Sequence, residues 1–233
     1  MQRRTTPAGP RAAKWRGHLD ARVIKLYITP GSPYARMARI VALEKDLSER
    51  VEIVAARTRT ADSPYYAINP SGRVPYLVRE DGVGMEESTL ICAYLDLLDG
   101  RPAFDLPAGA QSWEARRIEA LARSMLDGLA VWSREILRPE NERSPTVIQH
   151  ETDRARRMVG VMEREIGHPL LMRGALNMIQ LTLACALGLE ARIPGFLWRP
   201  GHPKLSAWFD RIAARPSFAA TAPPRAAAAA GST

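Results

Sequence analysis

Residues 69–95 read N-P-S-G-R-V-P-Y-L-V-R-E-D-G-V-G-M-E-E-S-T-L-I-C-A-Y-L, and they combine the groups needed to hold a zwitterionic peptide. A strand interrupted at Val74-Pro75 leaves the Val74 N–H and C=O free to pair with an added peptide strand, and a cis bond would turn that backbone outward. Glu87 and Ser88 stand where the chain enters a helix. Its free N–H groups and a hydroxyl can hold a carboxylate there, while Glu87 takes an ammonium.

The flanking sequence supplies a scaffold for these groups. Val23–Thr29 reads as a strand and Pro30-Gly31 as a turn. Ser32 is a helix N-cap with Pro33 at the first helical position, and helical spacing of Tyr34, Met37, Ile40, Val41 and Glu44 carries that helix to about Lys45. Val51–Ala56 is a second strand and Ser63–Ile68 a short helical turn. Val74–Glu80 and Val83–Glu86 are strands joined by the hairpin signal Asp81-Gly82, and Thr89–Leu98 is a helix. The order βαβαββα over residues 23–100 predicts a mixed four-stranded sheet covered by helices. Residues 101–110 form a proline-bearing linker. Residues 111–218 then read as wholly helical, with helices over Gln111–Leu137, Val147–Glu165, Asn177–Leu189 and Lys204–Arg215. Asn177 and Gln180 form a capping box at the start of the third, whose apolar run marks it as the central helix. Residues 219–233, with two prolines and an alanine run, read as a flexible tail.

The chain of 233 residues carries a net charge of +8 and a pI near 10.0. That charge invites a nucleic-acid reading, but six basic residues lie within residues 1–22 against Asp20 alone, and about +2 remains for residues 23–218. No basic stripe interleaved with aromatics occurs, so no nucleic-acid partner is expected. Residues 1–22 lack periodic hydrophobicity and read as a disordered extension rather than a targeting segment. No apolar run approaches the roughly 18 residues needed to cross a bilayer, so no membrane partner is expected either. Cys92 and Cys185 lie in apolar helical patterns and read as buried small hydrophobes, consistent with a reducing, cytoplasmic setting. The four histidines lack ligand spacing, so no metal is expected.

Taken in register, S-P-Y-A-R at the first helix, N-P-S-G-R-V-P before the third strand and E-S-T-L-I-C-A-Y-L at the third helix resemble the N-domain signatures of the glutathione S-transferase superfamily. L-N-M-I-Q-L-T-L-A-C-A and the ending W-F-D-R-I-A-A-R-P-S-F-A-A-T are similar to its C-domain. The resemblance covers nearly all of residues 23–224. It implies a thioredoxin-like N-terminal domain, an all-α C-terminal domain, a homodimer, and glutathione as co-substrate with a small hydrophobic electrophile. It places Val74, with a cis Pro75, against the cysteinyl backbone of glutathione, Glu87 and Ser88 at the γ-glutamyl end, and Ser32 at the catalytic position. Two residues depart from the usual pattern: Met37 replaces the second of a basic pair, and Asn177-x-x-Gln180 replaces a Ser/Thr-x-x-Asp box.

Ser32 at that position implies thiolate chemistry. A thiol titrates near about 8.5, so a hydrogen bond from Ser32 and the positive end of the helix would raise the reactive fraction at neutral pH. Serine in place of cysteine favours thiolate attack on an electrophile over thiol–disulfide exchange. Glutathione-dependent peroxidase or dehalogenase activity remains open, as does a non-enzymatic binding or assembly role. Arg57, Arg59 and Arg73 are alternative contacts for the glycine carboxylate. Tyr34 either packs in the core or lines the site. Arg123, Met125, Asp127 and Trp132 either face the electrophile cleft or pack between helices.

Overall fold

Strand β1 (Ile24–Ile28) buries Ile24, Leu26 and Ile28 on one face and turns Lys25 and Tyr27 to the other, the period of two expected of a strand with one face in the core. The computed structural model describes residues 23–104, 109, 112–172 and 174–224. The extension at 1–22, the linker residues 105–108 and 110, and the tail from 225 lie outside these. The order in the first domain is β1, α1 (Pro33–Glu44), β2 (Val51–Ala55), α2 (Tyr65–Ile68), β3 (Tyr76–Val78), β4 (Gly84–Glu86) and α3 (Ser88–Leu97). The sheet order is β2-β1-β3-β4, parallel between β1 and β2 and antiparallel elsewhere. This is the mixed thioredoxin-like sheet. Helices α1 and α3 pack together through Ile40, Val41, Ile91 and Leu95 in its core.

The third strand is shorter than the expected Val74–Glu80, because Pro75 has no N–H for a ladder and pairing starts at Tyr76. The β3–β4 hairpin turns at Asp81-Gly82 as expected: Gly82 takes φ +85°, and the Asp81 carboxylate accepts the Val83 N–H at 3.1 Å. Asp96 of α3 accepts the N–H groups of Ala103 and Phe104, both at 2.9 Å, and Lys45 lies 3.1 Å from the same carboxylate. Phe104 in turn accepts the Met178 N–H at 3.1 Å. The start of the linker is thus bonded to both domains.

The remainder is helical: α4 (Ser112–Glu135), α5 (Pro145–Glu165), α6 (Pro169–Met172), α7 (Met178–Leu187), α8 (Pro203–Ala213) and α9 (Pro216–Ala220). Every residue of α7 is buried. Its Asn177/Gln180 box forms both reciprocal bonds, at 3.0 and 3.1 Å, so the departure from the usual residues leaves the cap intact. The short helices α6 and α9 escaped the periodicity argument, since four or five residues span little more than one turn.

A flexible tail beginning at residue 219 is not what the structure places there. Ala219 and Ala220 complete α9, and Thr221 is 1% exposed. The anchor is Arg36 of α1, itself 6% exposed, which donates to the Phe218 carbonyl at 3.1 Å and to Thr221 Oγ1 at 3.4 Å. Its guanidinium also lies 5.3 Å from the Phe218 ring centroid. Arg36→Met keeps the apolar stem but takes from the Phe218 carbonyl its charged donor, leaving only the long 3.5 Å approach of the Thr221 hydroxyl, so urea denaturation is expected to show a loss of about 1–2 kcal/mol. Proteolysis should then begin at the C-terminus.

Candidate functional site

Strand register brings the predicted residues to one end of the sheet. Tyr27 of β1 pairs with Tyr76 of β3, and Tyr76 with Glu86 of β4. Ser32 follows β1 by four residues, Val74 precedes β3 by two, and Glu87-Ser88 follow β4 directly. The N-termini of α1 and α3 therefore open at the same edge as the Val74 backbone. The Val74-Pro75 bond is cis. Val74 is half-buried and stands outside the β-ladder, while Pro75 is buried.

The loop that presents Val74 is held from behind. Asn69, 2% exposed, donates through Nδ2 to the Arg73 carbonyl at 3.0 Å, accepts the Ser71 N–H at 3.1 Å, and is joined on that carbonyl by the Tyr65 hydroxyl at 2.5 Å. Gly72 takes φ +65° with the Tyr66 ring against its Cα, where an added Cβ would lie 2.8 Å from the ring. The N-P-S-G-R-V-P stretch is thus a braced turn that fixes where Val74 stands.

At the start of α3, Glu87 adopts φ +80° and ψ +117°, an uncommon conformation for a residue with a Cβ. Its carboxylate accepts the Thr89 N–H at 3.0 Å and the Ser88 hydroxyl at 3.3 Å. Each oxygen keeps a lone pair for a further donor. Ser88 is 2% exposed, yet its hydroxyl also meets Arg123 of α4, whose Nη1 donates to it at 3.3 Å. Arg123 Nη2 reaches Thr89 Oγ1 at 3.1 Å and Glu119 at 3.0 Å, and Glu119 accepts the Thr182 hydroxyl of α7 at 3.2 Å. A chain of charge-assisted bonds therefore ties the α3 N-terminus to the helical domain. Met37 places its sulfur 3.8 Å from the same guanidinium. A second cation at position 37 would sit against that guanidinium.

At the start of α1, Ser32 is the N-cap: Oγ accepts the Ala35 N–H at 3.2 Å, and Pro33 opens the helix. The cap uses a lone pair of the hydroxyl and leaves its hydrogen for a ligand. Tyr34 differs. Its hydroxyl donates to Asp127 at 2.5 Å, and burial, together with that bond, pushes the phenol well above its usual range. Tyr34 thus stays neutral, with its proton committed to Asp127.

The α4 candidates divide. Met125 and Trp132 are 1% and 5% exposed and pack between helices, Trp132 edge-on to Phe196. Arg123 and Asp127 face the first domain. Arg57, Arg59 and Arg73 are all exposed, so burial does not single out one of them for a carboxylate. Cys92 and Cys185 are free and wholly buried; burial pushes the Cys185 thiol up to about 11 and raises that of Cys92 as well. Neither is placed for nucleophilic work. Among the described residues no cluster of His, Cys, Asp and Glu could hold a metal, and no helix is long and apolar enough to cross a membrane. Sequence reasoning missed the Thr89 and Glu119 contacts to Arg123. The E-x-x-x-R spacing of Glu119 and Arg123 is a helical ion-pair signal, but its bridge to α3 is visible only in three dimensions.

A thioredoxin-like sheet whose Val-cis-Pro and Glu-Ser steps open beside an all-helical domain defines the class. A family model for the glutathione S-transferase N-terminal domain matches residues 26–103. The uncharacterized GST-like protein YibF of Escherichia coli (strain K12) is 31% identical over 204 residues, covering 87% of this chain and 100% of the relative. A glutathione transferase family member from Pseudomonas fluorescens Pf-5, solved with bound glutathione, is 30% identical at a TM-score of 0.75, covering 86% of this chain and 99% of that one. A glutathione S-transferase from Methylobacillus flagellatus KT, also with glutathione bound, is 29% identical at a TM-score of 0.74, with coverage of 86% and 99%. The chain belongs to the glutathione S-transferase superfamily.

Proposed function

We propose that the protein binds glutathione and activates its thiolate for attack on a small electrophile. The observation that carries this reading is the convergence of Ser32, Val74 and Glu87-Ser88 on one sheet edge, with Glu87 held at a positive φ that local structure alone does not favour. Solved relatives with glutathione bound add support.

In this reading the Val74 N–H and C=O pair with the cysteinyl backbone of the tripeptide, extending the sheet by one short strand. The γ-glutamyl carboxylate lies at the α3 N-terminus on nearby N–H groups and on the Ser88 hydroxyl, which turns its hydrogen from Glu87 to the ligand, and the ammonium meets Glu87. That geometry sets the cysteine sulfur toward the start of α1. Ser32 donates its hydroxyl hydrogen to the thiolate, which gains further from the positive end of the helix. The sulfur then forms a bond to the electrophilic carbon and the leaving group departs with its electron pair. A homodimer goes with this assignment, with the exposed Leu90, Leu97 and Trp113 as apolar surface for a second copy. The two free, buried cysteines fit a cytoplasmic setting.

The test is direct. Glutathione at about 100 times its Kd should raise stability by about 2.7 kcal/mol in thermal unfolding, and the protein should conjugate glutathione to chlorodinitrobenzene. A thermal shift without conjugation would leave a binding module; neither effect would remove the assignment.

A further inference from the structure

Arg192 is a cation without a visible task. It follows the 3-10 turn Gly188–Ala191 at the end of α7, and its own N–H is bonded to the Leu189 carbonyl at 2.9 Å. The next residue, Ile193, is 1% exposed, and Phe196 packs on Trp132, so the backbone here is anchored. The guanidinium crosses to the other domain and lies against Gly31: a Cβ added there would stand 2.4 Å from Nη1 and 2.6 Å from Cζ. Gly31 immediately precedes Ser32. Nearby Arg199 is held by Glu190 and Asp210. Arg192 has no carboxylate partner among the described residues, and its Nε is buried with no hydrogen-bond partner. A half-buried guanidinium beside the N-terminus of the twelve-residue α1 therefore puts two positive features together with no anion between them.

We propose that Arg192 binds the carboxylate of the electrophile, making the second substrate a small carboxylic acid with its leaving group on the carbon next to the carboxylate. The inference rests on the glutathione-transferase reading of the site. The planar guanidinium can present two parallel N–H groups, the arrangement that matches a carboxylate. Its place beside Ser32, on the helical-domain side, is where a reaction partner of the sulfur would lie. The γ-glutamyl end is accounted for at α3, where Glu87 and Ser88 stand. In water a thiolate and a haloacid anion repel; a fixed guanidinium offsets that repulsion as the two approach. With iodoacetate as probe, the glutathione sulfur bonds to the CH2 carbon, the C–I bond breaks, iodide leaves with the electron pair, and the thiol proton passes to solvent.

Iodoacetate and iodoacetamide carry the same reacting carbon and differ in charge, and the protein's own thiols are buried from both. The wild type should favour iodoacetate over iodoacetamide by roughly 10-fold more in kcat/KM than free glutathione does, a preference that one charge-assisted bond can supply. Arg192→Gln should lose that preference through KM for iodoacetate, leaving KM for glutathione and turnover of iodoacetamide nearly unchanged. Gly31→Ala, which pushes the guanidinium aside without removing it, should weaken the preference in the same direction. An equal fall for both reagents would overturn the proposal in favour of a role on the thiolate or in folding, and a rise confined to KM for glutathione would give Arg192 to the peptide instead. Calorimetry separates the two readings. If glutathione binds but nothing turns over, the transferase reading fails, yet tighter binding of S-carboxymethylglutathione than of its carbamoylmethyl analogue, abolished in Arg192→Gln, still sustains the carboxylate site. Equal binding of the two would overturn it, and no binding of glutathione would overturn both readings.

Discussion

Glu87→Gln should raise the Kd for glutathione roughly 10–30-fold, about 1.4–2 kcal/mol, with little change in the stability of the free protein. The substitution keeps the shape of the side chain and an oxygen that can still accept the Thr89 N–H, the bond that caps α3 at 3.0 Å. What it removes is the negative charge that faces the γ-glutamyl ammonium in the proposed binding mode. Glu87 is exposed, so the interaction lies at the modest end for a charge-assisted bond and is open to screening. In about 1 M salt the Debye length shrinks to about 3 Å, and the gap between wild type and variant should narrow. Calorimetric titration at low and high salt reads both quantities. An unchanged Kd at low salt would take Glu87 out of the ligand site and leave it as the cap of α3 alone. A large fall in the melting temperature of the free variant would instead show that the charge supports the fold.

Much of the scaffold was legible because its signals are local. Ser32-Pro33 marks the start of α1, Asp81-Gly82 marks the hairpin, and Asn177 with Gln180 marks α7; each is a short-range chemical rule that the chain obeys. The mixed sheet was expected, but its order β2-β1-β3-β4 was not, since a parallel pair and a hairpin leave open which edge the hairpin joins. The convergence of Ser32, Val74 and Glu87 is then a consequence of register, since all three stand just beyond the paired residues Tyr27, Tyr76 and Glu86. Contacts between the domains were not legible. Arg36 holds α9 across 182 residues of chain to Phe218, and Arg123 joins α4 to Ser88 and Thr89. A basic residue in a helix announces neither its burial nor its distant acceptor. Arg192 is the extreme case, because its guanidinium lies against a glycine in the other domain, and no spacing rule connects residues so far apart. Tyr34 shows a different limit: helical periodicity allowed core or cleft, and the side chain packs against the core at partial burial while its hydroxyl donates to Asp127, a tertiary contact that spacing does not announce.

Ser32→Ala should lower turnover with chlorodinitrobenzene about 30-fold near pH 6.5, with the affinity for glutathione nearly intact. A hydrogen bond to a charged group contributes about 2 kcal/mol, which is close to 1.5 pH units in the titration of the bound thiol. The sign follows from which form the bond favours. In the proposed role Ser32 donates to the thiolate, so its loss should raise the thiol pKa and the variant should fall behind at pH values below that pKa. Above it the thiolate is fully formed in both proteins and the rates should converge. A purely structural effect would lower the rate at every pH. The cap complicates the alanine variant, because Oγ also accepts the Ala35 N–H at 3.2 Å, and its loss costs about 1 kcal/mol of stability. Ser32→Gly separates the two roles: glycine is tolerated at an N-cap for a few tenths of a kcal/mol but donates nothing to sulfur. It should therefore melt close to the wild type and show the same shifted pH–rate profile as Ser32→Ala, while Ser32→Thr, which both caps and donates, should recover most of the rate. A Ser32→Gly enzyme with wild-type turnover at pH 6.5 would reduce Ser32 to a cap and leave the α1 N-terminus, with no side chain, to stabilise the thiolate.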